Sequence, residues 1–231
     1  MRSIVWLVAL SVLANPALAQ QPLVLEKITA LNAGAPQPAM ADLQIAVVTN
    51  AKAYAAAKAS CSPTSVTIAE VAPITGAGVI LQSVLSGKIR NAWTLYASHA
   101  GCPGDKEIRY MVLQLPDGSL KAARVNQGHS LANPAIMRDA STTAALAALA
   151  RAKALDPACK GDDMTMGPTR VITKSKDLGP EIFGVRYVGG WSEVWQFRTC
   201  GKSFNVPIDF AADGDGGAYT NVKASGVTAA P

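Results

Sequence analysis

The sequence predicts an α+β protein built from two tandem copies of one unit, each a helix packed on an antiparallel sheet of about four strands. The cysteines are the first observation: Cys61 and Cys102 are 41 residues apart, and Cys159 and Cys200 have the same separation. The second observation is that each half has an alanine-rich segment of helical periodicity followed by short segments typical of strands. Together these observations indicate an internal duplication.

A shift of 98 residues relates the two halves beyond the cysteines. It carries Trp93 onto Trp191 and the turn Asp117-Gly118 onto the turn Asp215-Gly216. Matching features in the same order are the signature of an internal repeat. The boundary is therefore predicted at residue 124, and the two copies are expected to cover residues 20–124 and 125–231.

The first 19 residues have the pattern of a secretory signal peptide. Arg2 precedes an apolar run over residues 4–13, and Ala17-Leu18-Ala19 matches the small-x-small cleavage pattern. Cleavage after Ala19 predicts a mature chain that begins at Gln20 and is periplasmic or secreted. The apolar run is too short to span a bilayer, and no transmembrane segment is expected in the mature chain.

Apolar residues at helical spacing predict one helix in each copy. In the first copy these residues are Met40, Leu43, Val47, Ala51, Tyr54 and Ala55, and in the second they are Met137, Ala144, Ala145, Ala148, Leu149 and Ala152. Asn133 followed by Pro134 is typical of an N-cap and the first helical position. Asp156-Pro157 is expected to end the second helix.

The remainder of each copy is predicted to form short strands joined by turns. The expected strands are residues 64–71, 89–98, 108–115 and 120–126 in the first copy, and 169–175, 182–188, 191–199, 203–210 and 218–222 in the second. Pro207 predicts a sheet edge or a bulge, because proline lacks the amide proton that a central strand position uses. The small residues of 225–231 predict a flexible C-terminal tail.

Four cysteines in an exported chain predict two disulfides. The equal spacing favours Cys61 with Cys102 and Cys159 with Cys200, although four cysteines allow three pairings. Zinc ligation is the alternative, but the chain has no Cys-x-x-Cys and no histidine at ligand spacing. We therefore expect no metal and no cofactor.

The chain has two histidines, His99 and His129, on which catalysis could depend. The stretch Gly128-His129-Ser130 is compatible with a hydrolase centred on His129, with Ser130 as nucleophile and an aspartate as the third member. However, Ser130 is not in a nucleophile-elbow pattern, and a turn or a helix cap explains the same residues. No catalytic residue is predicted on this basis.

The strongest candidate for a binding surface is the strand that contains Trp191, Trp195 and Phe197. Their side chains share one face because strand residues alternate between faces. Aromatic residues in this arrangement either fill a core or anchor an interface. The candidate surface is completed by three residues nearby in the sequence, namely Arg186, Tyr187 and Arg198.

Two segments of the second copy carry a resemblance. They are residues 128–139, and residues 195–201 together with Val206, Phe210 and the glycines of 213–217. These segments resemble a group of uncharacterised exported proteins of Gram-negative bacteria, which implies an envelope location and transfers no active site. The predicted architecture is also similar to that of the β-lactamase inhibitory protein, whose tandem helix-on-sheet repeats present a concave sheet to a protein partner.

The charge of the chain favours an anionic or a protein partner in the envelope. The formal charge of +5 falls to about +4 when Arg2 is removed with the leader, and the basic residues are scattered. No nucleic acid is expected, because the basic residues do not cluster. The sequence therefore favours a non-enzymatic binding or inhibitor-like protein that uses the sheet faces or the groove between copies. A structural or assembly factor of the envelope is the alternative.

Overall fold

The computed structural model describes residues 16–58, 60–101 and 107–230, with side chains from residue 25 onward. The apolar run of the predicted leader, Cys102 and the last residue of the predicted tail lie outside these ranges. The predicted cleavage site after Ala19 lies within the first helix.

The described residues form four α-helices and nine strands. The helices are α1 (Pro16–Gly34), α2 (Met40–Lys58), α3 (Gly78–Leu85) and α4 (Pro134–Leu155). The strands are β1 (Ser65–Pro73), β2 (Asn91–Ala100), β3 (Glu107–Gln114), β4 (Leu120–Gly128), β5 (Thr165–Lys174), β6 (Gly190–Thr199), β7 (Lys202–Ala212), β8 (Ala218–Val222) and β9 (Thr228–Ala230). The predicted α+β class is confirmed.

All nine strands belong to a single sheet. Its order is β1-β2-β3-β4-β5-β6-β7-β8, and β9 pairs with β7 beside β8. Every neighbouring pair is antiparallel except β4 and β5, which are parallel and pair only at Gln127 with Pro168 and at Gly128 with Thr169. This short parallel pairing joins the two halves of the sheet. The boundary predicted at residue 124 falls inside β4, which continues to Gly128.

Helices α2 and α4 lie on opposite faces of the sheet. Tyr110 of β3 packs with Val47 of α2, whereas Arg109, its neighbour in the strand, points to the other face together with its cross-strand partner Asn126. The Asn126 side chain donates to the Thr169 hydroxyl of β5 at 2.7 Å. Thr169 shares its face with its partner Trp195, which belongs to the core under α4. The helix-covered face of the sheet therefore changes at the pairing of β4 with β5. Helix α2 packs on one face of the first half, and α4 packs on the opposite face of the second half.

The predicted apolar faces of the two helices are largely buried. Leu43, Val47, Ala51 and Ala55 of α2 are buried, as are Met137, Ala144, Ala148 and Ala152 of α4. The predicted cap is also confirmed, because the Asn133 side chain accepts hydrogen bonds from the backbone amides of Ala135 and Ile136, both at 3.0 Å. Met40 and Tyr54 remain exposed at the margins of α2.

Two helices and one loop differ from the sequence-based expectation. Helix α3 and the part of α1 beyond the leader were not predicted; they cover the face of β2 and β3 opposite α2, through residues such as Leu31 and Val84. No strand forms over residues 182–188. There the chain makes a tight turn with a single bridge between Ile182 and Val185 and a positive φ of 49° at Phe183. A turn of this kind interrupts an apolar run without a sequence signal that distinguishes it from a strand.

The C-terminal segment is paired rather than free. Strand β9 pairs with β7, and Val227 beside it is buried against the α4 core. Pro207 of β7 lies between the residues that pair with β9 and those that pair with β8, so its missing amide proton interrupts neither pairing. The prediction of an edge or a bulge at Pro207 was wrong, because β7 lies inside the sheet and pairs with β6 without a register shift.

A disulfide joins Cys159, just after α4, to Cys200 in the hairpin between β6 and β7. The Cα atoms are 5.8 Å apart and the two residues are 41 positions apart in the chain. This predicted pairing is confirmed. Cys61 is disulfide-bonded as well, and its predicted partner Cys102 lies outside the described residues.

Candidate functional site

A groove of about 480 Å³ lies where the two halves of the sheet meet, on the face that carries α4. We call it the junction groove. Three parts of the chain line this groove: strands β1–β3 of the first half of the sheet, the connection from β4 to α4, and β5 with the loop after it. They contribute Glu70, Val71, Ala72, Thr94, Tyr96, Arg109, His129, Ser130, Leu131, Val171, Lys174, Glu181 and Arg186. A concave site of this size suits a small molecule.

The inner wall of the groove is fixed by Glu193, a fully buried carboxylate on β6. One oxygen accepts hydrogen bonds from the Trp191 indole at 2.9 Å and from the backbone amides of Leu131 and Ala132. The other oxygen accepts from the Trp195 indole and from the Ser130 hydroxyl, both at 2.7 Å. These five donors compensate for the removal of the charge from water.

Arg109 of β3 binds the same connection from the other half of the sheet. It is 2 % exposed. Its Nη1 donates to the Ala132 carbonyl at 2.7 Å and to the Ser130 carbonyl at 3.4 Å, and its Nε donates to the Thr94 hydroxyl at 2.8 Å. The carboxylate of Glu193 therefore binds the amides of Leu131 and Ala132 and the hydroxyl of Ser130, while the Arg109 guanidinium binds the carbonyls of Ser130 and Ala132.

The two buried charges fasten the halves of the sheet through this connection. We call the arrangement the loop clasp; it comprises Arg109, Glu193 and residues 130–132. The direct pairing of β4 with β5 is short, so the clasp supplies buried polar contacts at the junction that the sheet ladder does not. Because Glu193 and Arg109 both bind residues 130–132, this connection is anchored to both halves of the sheet.

Several charged groups on the groove surface have no partner of opposite charge. Within the described residues, Lys174 and Glu70 make no ion pair, and Arg109 Nη2 makes no hydrogen bond. The Nε of Arg186 is buried and likewise unpaired in the described part of the chain. The rest of the Arg186 guanidinium is anchored, with Nη1 donating to the Gly179 carbonyl at 2.8 Å.

The backbone is strained at two positions beside the groove. Glu70 has a φ of 54° at the irregularity in the pairing of β1 with β2, and Phe183 has a φ of 49° in the loop that carries Glu181 and Arg186. Residues other than glycine rarely adopt this conformation, and such strain concentrates at functional sites. Glu70 is exposed, lines the groove and makes no ion pair in the described residues.

Tyr96 lies between the charged groups of the groove. Burial raises the pKa of Tyr96 above its ordinary value, the nearby Arg109 guanidinium acts in the opposite direction, and Glu181 and Glu70 raise the pKa further. The Tyr96 ring lies 5.8 Å from the Arg109 guanidinium and 4.7 Å from the His129 ring. Charges of both signs therefore act on the middle of the groove.

The aromatic residues of the sequence-predicted surface are in the core. Trp191, Trp195 and Phe197 are at most 3 % exposed, because α4 covers their face of β6. They do not form an exposed binding surface, and the core alternative is the correct interpretation. Both tryptophans nevertheless contribute to the groove wall indirectly, because their indoles donate hydrogen bonds to Glu193.

The other three predicted residues are not in one place. Arg186 lines the junction groove. Tyr187 lines a different depression, and burial raises its pKa above the ordinary value. Arg198 is exposed and alternates with Phe197 along β6, so it lies on the face opposite α4. The structure therefore keeps only Arg186 of the six as a groove residue.

The candidate hydrolase residues do not form a serine–histidine pair. The Ser130 hydroxyl donates to Glu193, while the His129 ring pairs with Glu107 and contacts Tyr96. Ser130 is buried with its hydroxyl in the loop clasp, and no hydrogen bond joins it to His129 in the described residues. The geometry gives Ser130 a structural role. His99, the second histidine, bonds to the Tyr110 hydroxyl at 2.9 Å.

Sequence reasoning did not single out Tyr96, Glu70, Lys174 or Arg109 as groove residues. They come from four different strands and are adjacent only in the folded sheet. One signal was present, because the 98-residue shift places Glu193 at the position of Leu95, a fully buried core residue. A carboxylate at a core position indicates a buried polar network.

Comparisons with family models, with curated proteins and with solved structures give no match to this chain. Among the helices of the described residues, none has the length and apolar character needed to cross a membrane. A search of the same residues finds no group of three or more histidine, cysteine, aspartate or glutamate side chains that could hold a metal ion.

Proposed function

We propose that this protein is a non-enzymatic binding protein of the periplasm or the extracellular space, and that it takes a small ligand in the junction groove. The observation that carries the proposal is Arg109, a groove residue that is only 2 % exposed and whose Nη2 makes no hydrogen bond in the described part of the chain. A buried donor without a partner is unfavourable by about 1–3 kcal/mol. A bound ligand that accepts this hydrogen bond removes the penalty.

A second, larger groove supports the proposal less well. It has a volume of about 740 Å³ and lies between α2 and the hairpin of β3 and β4. Its two charged side chains, Asp42 and Lys121, are exposed to solvent, as is the Ile45 side chain that faces it. The Asn50 Oδ1 in its lining is buried and unpaired in the described residues, but this groove has no buried charged side chain comparable to Arg109.

The proposal includes export of the chain and the origin of the groove by duplication. The order of α2 with β1–β4, followed by α4 with β5–β8, supports two copies of one unit. Helices α2 and α4 lie on opposite faces of the sheet. This arrangement fits a second copy related to the first by a twofold rotation about an axis that lies in the sheet and runs perpendicular to the strands. The Cys61 Sγ lies 3.4 Å from the carbonyl of Gly101, which precedes Cys102, and this supports the second disulfide and an oxidising compartment.

The test is native mass spectrometry of the protein after incubation with the small-molecule fraction of a bacterial envelope extract. We expect an added mass on the wild type, and we expect Arg186→Gln to lose it, because the substitution removes the guanidinium from the groove. Arg198→Gln is the matched control, since Arg198 is an exposed arginine on the opposite face and should keep the added mass.

Either of two results would contradict the proposal. One is that the wild type gains no mass from the extract. The other is that the added mass is retained by Arg186→Gln and also by Glu70→Gln, which would locate the ligand elsewhere. Circular dichroism of each variant checks that it is folded before the comparison is made.

A further inference from the structure

We propose that the junction groove recognises an amino acid or a short peptide, with Arg109 and Arg186 binding its carboxylate and Glu70 binding its ammonium group. This inference rests on the proposed function and specifies the class of ligand. It follows from the presence of unpaired groups of both signs on one groove wall.

Two arginines are prepared for a carboxylate. Arg109 is fixed by its bonds to Thr94 and the connection before α4, and Arg186 is fixed by the Gly179 carbonyl. The Arg109 Nη2 makes no hydrogen bond to the described residues, and the Arg186 Nη2 makes only a long contact with Glu181 at 3.4 Å. Donors that are already held in place lose little conformational entropy when they bind an anion, and charged hydrogen bonds are among the stronger ones.

Carboxylates provide the complementary site for an ammonium group. Glu70 is held in the left-handed backbone region at a φ of 54° and makes no ion pair in the described residues. Glu181 contacts Arg186 at 3.4 Å, which is a long ion pair. Both carboxylates raise the pKa of Tyr96, so their negative field extends to the centre of the groove.

The same carboxylates disfavour a phosphate or another multiply charged anion. Such a ligand would be attracted by the arginines and repelled by Glu70 and Glu181. A zwitterion places each of its charges beside the opposite sign, which is the complementary arrangement. Tyr96, Leu131 and Val171 provide aromatic and apolar surface for the side chain of the ligand.

Three probes test the assignment by NMR of the isotopically labelled protein after export of the full chain. They are the dipeptide Ala-Ala, its N-acetyl form, which lacks the ammonium group, and its C-terminal amide, which lacks the carboxylate. We expect Ala-Ala to shift backbone amide signals of groove residues. We expect each blocked form to bind about tenfold more weakly, the factor for the loss of one charged hydrogen bond of about 1.4 kcal/mol.

Variants then assign each end of the ligand. Glu70→Gln should abolish the difference between Ala-Ala and its N-acetyl form, and Arg186→Gln should reduce the difference between Ala-Ala and its amide, because Arg109 still binds the carboxylate. Arg198→Gln should preserve both differences. If a groove variant does not fold, the comparison of the three probes on the wild type still decides the matter.

The inference is overturned if the three probes bind equally, or if none shifts the groove signals. These results leave the proposed function separately testable. An added mass from the envelope extract that is lost in Arg186→Gln would then show a groove ligand of another chemical class. Absence of that mass, in contrast, would contradict the proposed function itself.

Discussion

Replacing Glu193 by alanine is expected to reduce the free energy of unfolding by about 3–5 kcal/mol. The substitution removes the acceptor of five hydrogen bonds and leaves buried donors, including the indoles of Trp191 and Trp195, without partners. It also opens a cavity in the core under α4. Each unpaired buried donor adds a desolvation penalty, so the effect is large for a single substitution.

Chemical denaturation followed by tryptophan fluorescence measures this loss. Glu193→Gln preserves the volume and one acceptor oxygen, but it places an amide nitrogen toward hydrogen-bond donors, so an intermediate loss of about 2 kcal/mol is expected. Glu181→Gln is the control at an exposed position and should remain within about 0.5 kcal/mol of the wild type. A Glu193→Ala variant as stable as this control would refute the loop clasp.

Removal of the disulfide by Cys159→Ala with Cys200→Ala is expected to lower the free energy of unfolding by about 4 kcal/mol. The bond closes a loop of 41 residues, which contains β5, the loop that carries Arg186, and β6. The loss arises mainly because the unfolded chain regains the entropy that the closed loop restricts.

Denaturation without reductant checks this expectation. Ser203→Ala on the same hairpin is the control and should change stability by less than about 0.5 kcal/mol. Reduction should destabilise the wild type and have a smaller effect on the double variant, which has already lost one bond. A double variant with the stability of the wild type would show that the bond contributes nothing to the folded state.

The elements that local patterns determine were predictable from the sequence. The apolar periodicity of α2 and α4 and the cap at Asn133 depend on residues within a few positions of one another, and both agree with the structure. The segment 182–188 was misassigned because an apolar run is compatible with a strand or with a buried turn. Helix α3 is short and depends on packing against β2 rather than on a strong local signal.

The site depended on long-range geometry that the sequence did not reveal. Trp191, Trp195 and Phe197 were correctly placed on one face of β6, but only the position of α4 determines that this face is buried. Arg109 and Glu193 belong to different halves and meet through residues 130–132. Such a contact requires the relation between β4 and β5, for which the local sequence carries no pattern.

The most direct test of the account is a crystal structure of the protein species that carries the added mass. The account predicts density for a non-protein molecule in the junction groove, within hydrogen-bond distance of Arg109 Nη2. Density for that molecule in the groove between α2 and the hairpin of β3 and β4, or anywhere other than the junction groove, would contradict it.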